Sequence, residues 1–135
     1  MILLSRKPDK YYLKLLEDFE NGDLRLECFE IPFLTEDKSI NTNISGKIHF
    51  VVRNQKIDYL PLRRHTDSGK IWKPVGMPQK FKDNSTNTVK STKIIFSLQD
   101  DADFTCWEYA MITPNGDVNS HLLLRHYLRK NTNPA

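Results

Sequence analysis

The sequence predicts an α+β domain with an N-terminal helix and a small, mostly antiparallel sheet or partly open barrel of about five or six strands. Three observations lead to this prediction. Apolar residues at positions 12, 13, 16 and 19 recur with helical spacing. Several later segments alternate apolar and polar residues, as half-buried strands do. A Pro-Asn-Gly-Asp turn at 114–117 joins two of these segments.

The composition is typical of one folded, soluble domain. Of the 135 residues, 39% are apolar and 27% are charged, so we treat 1–135 as a single domain. No apolar run approaches the roughly 20 residues of a membrane span, and the N-terminus lacks the pattern of an export signal. We therefore expect a cytoplasmic protein, with Cys28 and Cys106 as buried thiols and a disulfide between them as the alternative.

The N-terminal half is expected to hold the helix and the first strands. The helix should span residues 9–20. Pro8 is tolerated at the start of a helix, and Asn21-Gly22 is a typical signal for its C-terminal end. Strands are predicted at 24–33, 47–54 and 56–62, the last two paired as a hairpin, and the polar residues 35–46 are expected to form a loop.

Three further strands are predicted towards the C-terminus. Residues 92–99 and 104–113 alternate clearly, and Asn115-Gly116 accepts the positive φ angles of a tight hairpin. The segment 120–129 is ambiguous. We favour a strand that pairs back across the turn, and a helix that starts at Ser120 is the alternative.

Positive charge is concentrated in the middle of the chain. Residues 62–93 hold eight basic and two acidic groups, a net charge of +6, whereas residues 1–45 have −3 and residues 94–135 have −2. The apolar residues within 63–92 do not recur with the spacing of a helix or a strand, so we expect a long basic loop there. Loops of this length inside a compact domain are usually functional or partly disordered.

The candidate site lies in this basic loop. Its cations would contact phosphates, and its aromatic rings would stack on the bases of a single strand. The predicted nucleic-acid-binding residues are Arg63, Arg64, Lys70, Trp72, Lys73, Lys80, Phe81 and Lys82. In the alternative interpretation, Trp72 and Phe81 anchor the loop to the core while the lysines extend into water.

No pattern in the sequence predicts catalysis. The spacing of the four histidines does not suggest a catalytic pair; these residues are His49, His65, His121 and His126. The acidic residues do not follow the spacing of a calcium loop, and no phosphate-binding loop or nucleophile elbow is present. We therefore expect neither a bound metal nor a cofactor.

These observations favour a non-enzymatic binding module, with single-stranded nucleic acid held by the basic loop. The alternative is a small inhibitor or adaptor that binds another protein through the same loop, with Trp72 as the interface anchor. A small nuclease is a distant third hypothesis. The sequence does not distinguish DNA, RNA and protein as partners, and it does not indicate an oligomeric state.

Overall fold

The computed structural model describes residues 6–22, 33–34, 48–52, 64–65 and 71–129. Within these residues, one helix precedes eight strands, two of which are only two residues long. The elements are α1 (Asp9–Glu20), β1 (Phe33–Leu34), β2 (Ile48–Val52), β3 (Arg64–His65), β4 (Ile71–Pro74), β5 (Gln79–Lys82), β6 (Val89–Leu98), β7 (Asp101–Ile112) and β8 (Val118–Arg129). The predicted α+β class, with an N-terminal helix and a mostly antiparallel sheet, is confirmed.

The strands form one open sheet in the order β1-β2-β8-β7-β6-β4-β3, and β5 pairs with β6 beyond the end of β4. All of these strand pairs are antiparallel except β1 with β2. The three longest strands, β6, β7 and β8, lie at the centre. No described strand joins the two edges of the sheet, so the described part does not close into a barrel.

Helix α1 packs on one face of the sheet, which we call the helix face. The helix begins after Pro8, whose backbone is extended, and ends at Glu20, with Asn21 as its C-cap. Its buried side chains are Tyr12, Leu15 and Leu16. On the sheet they contact a buried apolar cluster made of Phe50, Tyr109, Met111, Leu122 and Leu124. The apolar spacing within residues 9–20 thus marks the surface that packs against the sheet.

The opposite face of the sheet, which we call the far face, is also buried over much of its area. Its apolar cluster consists of Trp72, Ile94, Phe96, Leu98, Phe104, Cys106 and Tyr127. Successive side chains on a strand point to opposite faces of the sheet. In the central strands, both sets of alternating positions carry apolar side chains, so both faces are buried. The buried Glu108 lies opposite Arg125 on neighbouring strands, and Arg125 Nε donates to Glu108 Oε2 at 2.7 Å.

The β7–β8 hairpin is formed as the sequence predicts. Thr113 N donates to Asp117 O at 2.7 Å, and Gly116 N donates to Thr113 O at 2.8 Å. Gly116 has a φ of 89°, a left-handed angle that glycine adopts without steric cost. Strand β8 continues to Arg129, so the helical alternative for residues 120–129 is wrong.

The long basic loop predicted at 63–92 is wrong over its described part. Residues 71–92 contain β4, β5 and the start of β6. The two short strands pair with successive parts of β6 and are separated by a bend in which Gly76 has a φ of 79°. This bend and a register shift between β5 and β6 interrupt the alternation of apolar and polar residues. The sequence of this segment therefore does not show the pattern that predicts strands.

The remaining predicted elements divide into confirmed strands and segments outside the described residues. Strand β2 confirms the prediction at 47–54, and β6 and β7 confirm those at 92–99 and 104–113. The structure does not describe the predicted strand at 56–62 or the loop at 35–46. Of the predicted strand at 24–33 it describes only Phe33, so Cys28 also lies outside the described residues. Cys106 is buried, as expected. No helix in the described ranges has the length and apolar character needed to cross a bilayer.

Candidate nucleic-acid interface

Trp72 belongs to the core of the protein. Its side chain is 1% exposed. Its ring centroid lies 5.3 Å from that of Phe104 and 6.0 Å from that of Tyr127. A nucleic-acid base has no access to this ring, so the prediction that Trp72 is a stacking platform is wrong and the core-anchor interpretation is correct for this residue. The same burial rules out Trp72 as an exposed anchor for a protein partner.

The predicted lysines are spread over different parts of the sheet. Lys73 is opposite Ser97 on β6 and Phe81 is opposite Ser91, so the two lie about 20 Å apart along β6. Lys80 pairs with Thr92 and lies on the far face, whereas Phe81 points to the helix face. Arg64 is in β3 with its side chain outside the described residues, and Arg63 and Lys70 are outside them altogether.

Two of the predicted residues, Phe81 and Lys82, meet in a groove between α1 and the β5–β6 hairpin. We call it the helix–hairpin groove, and its volume is about 270 Å³. Its cations are Lys10, Lys14, Lys82 and Lys90, and its apolar residues are Leu13, Phe81 and Met111. The structure therefore combines part of the predicted site with two lysines from the helix that sequence reasoning missed.

A β-bulge explains why neighbouring residues line the same groove. Phe81 is opposite Ser91, but Lys82 is opposite Val89, so Lys90 is an extra residue in β6. A bulge bends its strand and re-aims the side chains next to it. Both Lys82 and Lys90 consequently line the groove beside Phe81.

The helix side of the groove is formed by residues that share one face of α1. Lys10, Lys14 and Glu17 follow the i, i+4, i+7 spacing that aligns side chains along a helix. This spacing was the available sequence signal. The net negative charge of the N-terminal third of the chain obscures this signal.

The groove carries more positive than negative charge. Lys14 Nζ lies 2.9 Å from Asp18 Oδ1, and Lys90 Nζ lies 3.0 Å from Glu17 Oε2. Exposed ion pairs of this kind contribute only about 0–1 kcal/mol to stability. Lys10 and Lys82 form no ion pair within the described ranges, which leaves both ammonium groups available to an anion.

A second polar cluster, which we call the N-terminal clamp, joins the start of α1 to the helix face. Its members are Arg6, Asp9, Lys93, Tyr109 and His126. Tyr109 Oη donates to Asp9 Oδ1 at 2.6 Å, and Lys93 Nζ donates to Asp9 Oδ2 at 3.0 Å. Arg6 donates to the Tyr109 hydroxyl and, at 3.0 Å, to His126 Nδ1.

Aromatic rings surround the Arg6 guanidinium in this clamp. Its Cζ lies 4.1 Å from the Trp107 ring centroid and 4.5 Å from that of Tyr12. The Tyr12 ring also stacks on His126, with 5.1 Å between the centroids. The polar groups of the clamp are thus engaged with one another and enclosed by rings, an arrangement that holds α1 on the sheet.

The clamp also shifts the pKa values of its titratable groups. Burial, together with the positive charge of Arg6, lowers the pKa of His126 to about 4, so the imidazole is neutral at pH 7. Burial opposes ionisation of Asp9, but hydrogen bonds from Tyr109 and Lys93 outweigh it and hold the pKa of this carboxyl below its usual value. Burial and the bond to Asp9 raise the pKa of the Tyr109 hydroxyl. At pH 7 the clamp therefore holds an ionised Asp9 carboxylate, a neutral Tyr109 hydroxyl and a neutral His126 imidazole.

The described residues contain no cluster of three or more His, Cys, Asp or Glu side chains arranged to hold a metal ion. Among the four histidines, His126 lies in the clamp and His121 is exposed, whereas the side chains of His49 and His65 lie outside the described part. The helix–hairpin groove is therefore the candidate site, because it brings several cations and an aromatic ring together.

A scan against models of known protein families finds none that matches this chain. A search of curated protein sequences finds no significant match either.

Proposed function

We propose that this protein is a non-enzymatic module that binds single-stranded nucleic acid in the helix–hairpin groove. The observation that supports this proposal is the convergence of Lys10 and Lys14 from α1 with Lys82 and Lys90 from the hairpin on one groove. Phosphate contacts from lysine provide most of the sequence-independent affinity for nucleic acids.

The shape of the groove favours a single strand over a duplex. Its volume of about 270 Å³ accommodates a narrow chain, and the half-buried Phe81 lies among the cations. Single strands are bound by cations that follow the backbone and by aromatic rings that contact bases. The sequence predicted that Trp72 and Phe81 would both stack on bases, and in this proposal Phe81 alone does so.

A second candidate function, as an inhibitor or adaptor that binds a protein, is favoured by one observation. The bend between β4 and β5 exposes Met77 at 86% and Val75 at 54% of their surfaces. Exposed methionine is common at adaptable protein-binding surfaces. In that case these two side chains, rather than Trp72, would contact the partner, and the lysines would attract acidic groups on it.

Fluorescence anisotropy with labelled single-stranded and duplex oligonucleotides across a salt series tests the proposal. Lys10→Gln and Lys82→Gln should weaken binding to every sequence and make the salt slope shallower by about 0.7 for each phosphate that the variant no longer binds. Lys73→Gln removes an exposed lysine about 20 Å from the groove along β6, so it is the matched control and should leave the slope unchanged.

Phe81 should respond differently from the lysines. Phe81→Ala should lower the affinity by about 1–3 kcal/mol at every salt concentration, because a stacking surface is removed while the charge is kept. Absence of oligonucleotide binding at low salt, or equal effects of Lys73→Gln and Lys82→Gln, would refute the groove as a nucleic-acid site. Loss of binding to a protein partner on Met77→Ser, without competition by oligonucleotides, would support the adaptor function instead.

A further inference from the structure

A larger groove lies on the far face of the sheet, between the turn at 83–88 and the turn at 113–117. We call it the hairpin-end groove, and its volume is about 1050 Å³. This is at the upper end of the roughly 300–1,000 Å³ typical of small-molecule sites. The helix–hairpin groove is on the other face, and Lys90 is the one described residue that lines both grooves.

Much of the lining of the hairpin-end groove is apolar. Ile112 and Val118 are opposite each other on β7 and β8, and Val89 begins β6 beside them. Met77 and Pro78 complete the lining on the side of the β4–β5 bend, where Met77 is almost fully exposed. A ligand placed here would cover apolar surface that otherwise contacts water, which is favourable in proportion to the area covered.

The threonine hydroxyls of the groove are engaged within the chain. Thr92 Oγ1 donates to Gln79 O at 3.1 Å, Thr113 Oγ1 accepts from Asp117 N at 3.3 Å, and the hydroxyls of Thr86 and Thr88 are 2.7 Å apart. These groups therefore offer less hydrogen bonding to a polar ligand than their number suggests. The lining favours a hydrocarbon chain over a sugar or a nucleobase.

Lys80 provides a positive charge for the groove. It is exposed, and it forms no ion pair within the described part of the chain. Lys90 also lines the groove but contacts Glu17 at 3.0 Å. The nearby carboxylate of Asp83 accepts hydrogen bonds from Ser85 N at 2.9 Å and Ser85 Oγ at 2.8 Å, which hold it in its own turn.

From this charge and this lining, we propose that the hairpin-end groove binds a long-chain carboxylate. The alkyl chain lies along Val89, Ile112 and Val118, and the carboxylate accepts a charge-assisted hydrogen bond from Lys80 Nζ. This site does not require the nucleic-acid function proposed above, because Lys80 and the apolar residues that would contact the ligand line only the hairpin-end groove.

The test is displacement of 11-(dansylamino)undecanoate, a fluorescent fatty acid, by dodecanoate and by uncharged dodecanol. Dodecanoate should displace the probe at concentrations about tenfold lower than dodecanol, because a hydrogen bond to a charged group discriminates by at least this factor. Lys80→Gln should remove the difference between the two competitors. Lys73→Gln, an exposed lysine on the other face, should leave it unchanged.

Two substitutions that fill the groove provide a second measurement. Val118→Trp should abolish probe binding, and Thr88→Trp should do the same from an exposed position in the turn at 83–88. The proposal is overturned if dodecanoate fails to displace the probe, if dodecanol competes equally well, or if Thr88→Trp leaves binding intact. Binding only to vesicles of anionic lipid, with no free dodecanoate bound, would also overturn it in favour of a membrane surface.

Discussion

Replacement of Trp72 by alanine should destabilise the protein without a direct effect on ligand binding. The indole lies in the far-face cluster, where it contacts the rings of Phe104 and Tyr127, and it is 1% exposed. Its backbone is paired on both sides, with Arg64 in β3 and Leu98 in β6.

The expected loss of stability follows from the volume removed. Truncation of a buried tryptophan to alanine costs about 3–5 kcal/mol, because apolar burial decreases and a cavity remains. For a chain of this size, each kcal/mol lowers Tm by roughly 3–5 °C, so we expect a decrease of about 9–25 °C. Trp72→Phe should cost less, because it keeps an aromatic ring and removes a buried Nε1 donor for which no described residue supplies an acceptor.

Thermal and urea unfolding of the wild type, Trp72→Ala and Trp72→Phe measure these differences. Lys73→Ala is the matched control on the same strand, because its exposed side chain should change stability by no more than about 0.5 kcal/mol. Oligonucleotide affinity should be unchanged below the melting transition of each variant. An unchanged Tm for Trp72→Ala, combined with weaker oligonucleotide binding, would show that the indole acts at the surface and would refute this reasoning.

Three further predictions concern the clamp, the buried ion pair and the hairpin. The pKa of His126 falls from 6.5 to about 4 on folding, so between these pH values only the unfolded chain takes up this proton. The free energy of unfolding should therefore decrease by at most roughly 3 kcal/mol as the pH falls from 6.5 to 4. In urea unfolding, the His126→Gln variant should show a smaller decrease over the same pH range than the wild type. Arg125→Met should cost about 3–5 kcal/mol because it removes the Arg125 half of the pair while the Glu108 charge stays buried, and the double variant with Glu108→Leu should recover part of this stability in the same assay. Gly116→Val should lower Tm through a strain of about 1–3 kcal/mol at a φ of 89°, and an equal Tm would contradict the turn geometry.

Local sequence signals were sufficient for the helix and for the C-terminal hairpin. The spacing of Tyr12, Leu16 and Phe19 reports a 3.6-residue period, and Asn115-Gly116 permits the backbone angles of a tight turn. Both signals involve residues close together in the chain, so no knowledge of distant contacts is needed. The same holds for the alternation that predicted β2, β6 and β7.

Tertiary structure decided the position of Trp72. Its neighbours along the chain are basic and proline-rich, and this setting favours a loop. Its burial depends on Leu98 and Phe104, which lie 26 and 32 positions later and reach it only because β4 pairs with β6. A strand of four residues has too few alternating positions to reveal this pairing from its own sequence.

The candidate site was likewise only partly contained in the sequence. The excess of positive charge at 62–93 was visible, and it led to Phe81 and Lys82. Lys10 and Lys14 are about 70 positions away in a segment of net negative charge, and only the packing of α1 on the helix face places them beside the hairpin. The sequence by itself determined which residues carry charge and where α1 and the β7–β8 turn form. The strand pairing and the β6 bulge decided which charges share a groove, because that depends on contacts between distant parts of the chain.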